Sequence, residues 1–335
     1  MRPTAFLLLL FLTAASASAQ WVRQTGNTTA DLRGLSVVNE KVVWASGTGG
    51  TVVRTVDGGK TWDVISVPGA EKLDFRDIEA FDANTAYILS IGNGETSRIY
   101  KTTDGGKTWK LQFTNKDEKA FYDALACWDR SNCIAMSDPV EGHYPLIATV
   151  DGGMTWTPLV SNQMPAAKDG EAAFAASGTC LIAFGTSTAF LVSGGTDARL
   201  FRSDDRGRAW SAAETPLTKG TSAAGIFSIA MANARAGVIV GGDYQKPQEA
   251  VNNVAFTSDG GKTWTLGIGL KGYRSGVAFV EKNTYIAVGT NGTDVSSDGG
   301  RTWQLMIKEN LNAVHSKGVK ATWAVGPNGL IMKLK

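Results

Sequence analysis

Three cysteines, two histidines and nine prolines in 335 residues leave little material for metal chemistry or for a disulfide framework. His143 and His315 lie far apart, and Cys127, Cys133 and Cys180 are scattered, so no zinc set can be assembled and neither a metal nor another cofactor is expected. Neither charge dominates. Lys and Arg number 33 against 31 Asp and Glu, and that balance argues against a nucleic-acid protein, which carries a pronounced basic stripe. No Gly-x-Ser-x-Gly nucleophile elbow occurs, and no Ser, His and Asp grouping follows from spacing. Gly267, Gly269 and Gly272 fit a G-x-G-x-x-G pattern, but without the strand-to-helix context that gives it a mechanism.

Long apolar runs are also missing, apart from residues 6–12. That run follows Arg2 and precedes small residues at Ala17 and Ala19, which reads as a secretory signal over 1–19 cleaved before Gln20. It is too short to span a bilayer, and no cysteine stands at the cleavage point to take a lipid. An exported protein, periplasmic or secreted and soluble once processed, is therefore expected. Cys127 and Cys133 flank a turn-like segment and can face each other across a hairpin, so a disulfide and two free thiols are both open; Cys180 reads as a small buried hydrophobe.

What the chain has in abundance is glycine, 39 residues, and a repeat built on it. Thr55-Val56-Asp57-Gly58-Gly59-Lys60-Thr61-Trp62 returns around Asp104, Asp151, Asp205, Asp259 and Asp298, with one degenerate copy at 203–210. Self-similarity at about 40–55 residues marks a solenoid or a propeller. Asp-Gly-Gly between β-branched runs is a hairpin signal, because the glycines accept positive φ and the carboxylate bonds nearby amides. The closing Trp62, Trp109, Trp156, Trp210, Trp264 and Trp303 are large enough to wedge between one small sheet and the next. These boxes are structural on this reading, since six equivalent active sites are implausible.

Each unit reads as four short strands; the second has them at 75–81, 85–90, 97–103 and 109–114, with alternating apolar positions. The first spans 32–67, and the third to sixth follow at 121–160, 171–214, 225–268 and 273–307. After the sixth box only three strands remain, 311–315, 321–326 and 330–334. The missing fourth is at the other end, where Trp21-Val22-Arg23-Gln24 looks like the strand that follows every box. The expectation is an all-β fold: a single seven-bladed β-propeller over 20–335, built of four-stranded antiparallel blades, the last closed by both chain ends.

In such a ring the innermost strands line a channel, and their starting residues gather on the face opposite the boxes. Those residues are Arg33, Arg76 with Asp77, Tyr122 with Asp123, Glu171, Phe227, and Tyr273 with Arg274. Two long loops join them, carrying Asp138 and His143, and Asp243 and Tyr244. Three arginines from three blades form a candidate rim for an anion or carboxylate, because guanidinium forks pair with carboxylates. A solvated channel mouth whose charges pair among themselves is the plainer alternative.

The eight-residue pattern resembles the Asp-box, or BNR repeat, of sialidases and related β-propellers, and it covers the whole mature chain. With seven blades, an export signal and the segments Met136-Ser137-Asp138-Pro139, Gly241-Gly242-Asp243-Tyr244 and Gly272-Tyr273-Arg274-Ser275, the sequence is most similar to the photosystem II stability/assembly factor-like family. The resemblance implies a non-enzymatic helper that binds a protein or peptide, such as an unassembled membrane-protein subunit of the envelope, on a propeller face, and a monomer is expected. Sialidase-like or xyloglucanase-like glycoside hydrolysis is the alternative, with a carbohydrate ligand and Asp77, Asp123, Asp138 or Glu171 as candidate carboxylates. The Arg-Ile-Pro motif of sialidases is absent, and only one propeller is encoded. An oxidoreductase has no support in these residues.

Overall fold

The computed structural model describes residues 20–159 and 163–335, so the expected signal segment lies outside the described residues. Seven antiparallel sheets form the ring, six of four strands and one of six, the last being a four-stranded blade with two short strands added at its inner edge. From inner to outer strand, blade 1 is Leu32–Val37, Val43–Gly47, Thr51–Thr55 and Asp63–Ser66. Blade 2 is Phe75–Ala80, Ala86–Ser90, Arg98–Thr102 and Lys110–Thr114. Blade 3 is Tyr122–Cys127, Cys133–Ser137, Leu146–Thr149 and Thr157–Pro158. Blades 5 and 6 begin at Ala224–Met231 and Gly276–Glu281. Blade 7 comprises Ala313–Ser316, Thr322–Val325 and Leu330–Leu334, with Trp21–Thr25 as its outer strand. Trp21 sits opposite Leu334 and Thr25 opposite Leu330, so the two chain ends zip the ring shut as expected.

The boxes act as the local chemistry requires. In the first, the Asp57 carboxylate accepts from the Thr61 amide at 3.0 Å and the Thr61 hydroxyl at 2.7 Å, while the Thr55 hydroxyl donates to it at 2.9 Å. The residue after each Asp has positive φ and donates its amide to the turn between the two inner strands of its own blade, as in Gly58 to Lys41 at 3.0 Å and Gly152 to Ser131 at 3.1 Å. In the degenerate box Arg206 adopts φ 62° and makes the same bond to Ser187 at 2.8 Å. The boxes and these inner turns therefore share one face, here the lower face. The second glycine has no room for a side chain: a Cβ on Gly59 would lie 2.5 Å from Trp323 of the preceding blade.

The box tryptophans fill the wedges between blades. Trp62 meets Trp323 of blade 7 edge-on at 5.6 Å, Trp109 meets Trp44 of blade 1, and Trp156 meets Tyr87 of blade 2. Such pairs add about 0.5–1.5 kcal/mol beyond the area they bury. Cys127 and Cys133 are joined by a disulfide across the inner hairpin of blade 3, and Cys180 is free and buried.

Blade 4 departs from expectation. Its inner strand is Leu181–Phe184, followed by Thr188–Val192, Arg199–Ser203 and Ser211–Glu214. Glu171–Ala172 does not belong to it; this pair bonds to Gly194–Gly195, which extends the inner edge of blade 5. Residues 173–179 leave the sheet and cross the channel as a plug.

Candidate functional site

The inner strands of blades 1, 2, 3 and 5 each carry a register shift, at the second residue in the first three and at the fourth in blade 5, leaving Arg33, Arg76, Asp123 and Phe227 outside the regular pairing. A β-bulge kinks its strand and re-aims the extra side chain. Here the four bulged residues come from strands that surround one channel, and the plug lies between them. Arg33 donates to the Ala176 carbonyl at 3.3 Å and Arg76 to the Ala175 carbonyl at 3.1 Å. Phe174 stacks on Phe227 with ring centres 3.9 Å apart and planes 6° from parallel. Ser177 donates to the Ser275 carbonyl of blade 6 at 2.8 Å, and Thr179 and Ser228 share a hydroxyl bond of 2.6 Å.

The plug forms the floor of a recess of about 410 Å³ on the upper face. Arg33 and Arg76 line one part of it; Phe174, Phe227, Tyr244 and Tyr273 line another, with Ser275, Thr290 and Asn312 completing the wall. Tyr273 meets Phe227 edge-on at 4.7 Å, and Tyr244, 47 % exposed, leans on both phenylalanines. Asp74 holds the Arg76 guanidinium at 2.7 Å, whereas Arg33 has no ion pair among the described residues. Burial first, and then the neighbouring Arg76, lower the pKa of Arg33. An anion between the two guanidiniums relieves both effects. The recess thus offers a cationic side and an aromatic side.

Several expected rim residues sit elsewhere. Arg274 is fully buried and ion-paired with Asp294, its Nε donating at 2.7 Å, so it braces the loop between blades and the rim has two arginines, not three. Glu171 is buried against Arg199, accepting from its Nε at 2.9 Å, and also accepts from the Lys168 amide. Asp77 lies below the plug and ties blade 2 to blade 3, accepting from the Ile78 and Leu125 amides at 2.8 and 2.7 Å. Asp138 accepts from the plug amide of Ala173 at 2.7 Å, with Asp123 buried beside it. Burial raises both carboxyls, Asp138 to about 6, and the mutual repulsion raises Asp123 further. Asp243 caps its own turn through the Gln245 amide. Tyr122 and His143 line a separate groove beside blade 3. The sequence reading missed Phe174 and the plug; the only trace they leave is Gly178, which stands where the chain passes closest to Asp77.

Comparison with known proteins agrees with this architecture. The model of the family described as Photosynthesis system II assembly factor YCF48 matches residues 12–173. Among solved structures, YCF48 bound to D1 peptide is 16 % identical with TM-score 0.67, covering 96 % of this chain and 98 % of that one. YCF48 from Cyanidioschyzon merolae is 16 % identical with TM-score 0.65 over 94 % and 98 % of the two chains. The Niastella koreensis GH74 enzyme is 17 % identical with TM-score 0.63, covering 91 % of this chain and 52 % of that one. No curated protein sequence matches. The chain is an Asp-box repeat propeller of seven blades, similar through residues 12–173 to the photosystem II assembly-factor family.

Proposed function

We propose that this protein is an exported, non-enzymatic propeller that holds a peptide segment of a protein partner in the upper recess. The observation that carries the reading is the pairing of Arg33 and Arg76 with the wall of Phe174, Phe227, Tyr244 and Tyr273 around one central hollow. Arg and aromatic anchors in a partly desolvated pocket dominate recognition energetics. The solved relative that carries a D1 peptide supports a peptide ligand, and a membrane-protein subunit is the partner class consistent with it. The disulfide supports export, because such bonds persist in oxidising compartments.

Affinity capture by the mature chain from its native envelope fraction, followed by mass spectrometry, tests this. The Arg33→Ala, Arg76→Ala double variant is expected to lose partner binding by roughly ten-fold or more. Full retention would remove the recess as the site. Arg274→Ala serves as a contrast: it strands Asp294 in the interior, so it is expected to cost about 3–5 kcal/mol of stability instead of acting on the recess.

Glycoside hydrolysis is the second reading, favoured by the GH74 fold neighbour. Against it, Asp77, Asp123 and Asp138 are committed to backbone amides or buried around the plug, and no pair of them lines the recess. Release of glucan oligomers or sialic acid by purified protein, lost on Asp77→Asn or Asp123→Asn, would overturn the binding reading.

A further inference from the structure

We propose that the lower face, the one formed by the box turns, docks on an anionic lipid bilayer. The slot after the two box glycines carries Lys60, Lys107, Lys262, Arg208 and Arg301, so the repeat places one cation at the same height on five blades. All five are exposed. The side chains of Lys60, Lys107 and Lys262 take part in no ion pair among the described residues. The inner turns of the same face add Lys41, Arg235 and Lys282.

The box carboxylates are also on this face, each bonded by its own turn, as are Asp204 and, on the inner turns, Glu40, Asp82 and Asp129. Counting them all, the box and inner turns carry twelve Lys and Arg, Arg130, Arg206, Lys317 and Lys320 among them, against ten Asp and Glu. The upper face is the reverse. Acidic residues are in excess on it, and its cations are largely matched, as in Lys119 with Glu141 at 2.8 Å and Lys168 with Glu214 at 2.8 Å. A chain of nearly balanced charge is thereby polarised across the ring.

The lower face also carries apolar tips. In the third box Met154 occupies the slot that holds a cation elsewhere and is 74 % exposed; Val150 beside it is 70 % exposed, and Val56 of the first box 45 %. Large side chains left in water at the points of turns, next to unmatched lysines, suit a bilayer surface. Headgroups take the ammonium charge, and the tips enter the boundary with the acyl chains. A nucleic acid would want the cations in a stripe and would gain nothing from Met154. An acidic protein would not need projecting apolar tips.

Co-sedimentation of residues 20–335, which form the closed ring, with vesicles of phosphatidylcholine with and without phosphatidylglycerol tests the proposal. Binding is expected only with phosphatidylglycerol and is expected to weaken as salt is raised. Lys60→Glu, Lys107→Glu and Lys262→Glu together should lower the partition coefficient about a hundred-fold. Val150→Ser with Met154→Ser should lower it about ten-fold. These side chains are exposed and make none of the box hydrogen bonds, so unchanged Tm and undiminished peptide capture at the opposite face verify that each variant is folded. Absence of binding to phosphatidylglycerol vesicles at low salt, or a triple variant that binds like the parent, overturns the proposal. So does capture by soluble polyglutamate that equals vesicle binding and ignores the Val150 and Met154 changes, which would assign the face to an acidic protein instead.

Discussion

Six aspartates do most of the fixing at the level of single residues. The hydroxyl and amide of the following threonine hold the carboxyls of Asp104, Asp151 and Asp259 down at about 2, so they are ionised throughout the physiological range. Their folded pKa lies below the unfolded one. The stability they confer is therefore present above about pH 4 and is lost as pH falls through about 2. Asp205 lacks one contributor, because Ala209 stands where the other boxes have threonine and supplies only its amide, at 2.9 Å. Ala209→Thr is expected to stabilise the fold by up to about 1 kcal/mol, seen as a rise in Tm.

In the channel below the plug the sign is opposite. Burial, helped by the nearby Asp77, raises Glu79 to about 8, with Lys317 opposing the shift. A carboxyl raised on folding favours the protonated form. Its penalty is absent near pH 4 and grows as pH rises to about 8. Glu79→Gln should therefore match the parent near pH 4 and exceed it in denaturant midpoint above pH 8. His315 faces the same hollow, stays neutral because burial lowers it to about 4, and accepts from the Val37 amide at 3.1 Å.

Among elements, the plug decides what the channel can do. Residues 171–176 alternate much as an inner strand would, and reading them so put Glu171 on the rim. The chain instead leaves the sheet at Ala173, because the carboxylate of Asp138 and the hydroxyls of Ser228 and neighbouring residues offer its polar backbone and side chains partners inside the ring. Small residues make the crossing fit. Gly178 has φ 76°, and a Cβ there would stand 2.3 Å from Asp77 Oδ1. Gly178→Ala is thus expected to destabilise the protein by about 1–3 kcal/mol in chemical denaturation. An unchanged midpoint would mean that the plug does not seat against Asp77. The bulges at Arg33, Arg76, Asp123 and Phe227 work with the plug, since each turns one side chain out of the ladder toward it.

For the whole molecule, closure is the governing contact. Trp21 is buried in the wedge against blade 6, packed with Ile286 and Val288, and its strand covers the edge of Leu330–Leu334. Deleting residues 20–25 removes that cover and leaves a bare sheet edge, a template for pairing with other chains. A sharp fall in Tm with concentration-dependent aggregation is the expected outcome, measured by calorimetry and light scattering. Trp21→Ala alone should cost about 3–5 kcal/mol. A truncated chain as stable as the parent would show that the ring does not depend on its ends.

The amino-acid sequence by itself determined the repeat, the turn chemistry, the number of blades and the strand exchange that closes the last one. Each of these rests on contacts within a few residues, or on a count of repeated units with one strand left over. It also placed Arg33, Arg76, Tyr244 and Tyr273 at a common mouth. Only the tertiary structure decided which charges reach that mouth, burying Arg274 on Asp294 and Glu171 on Arg199 and bringing Phe174 across the ring to Phe227. Those outcomes follow from partners far apart in the chain, and a side chain's direction at a bulge or in a plug is set by what meets it there.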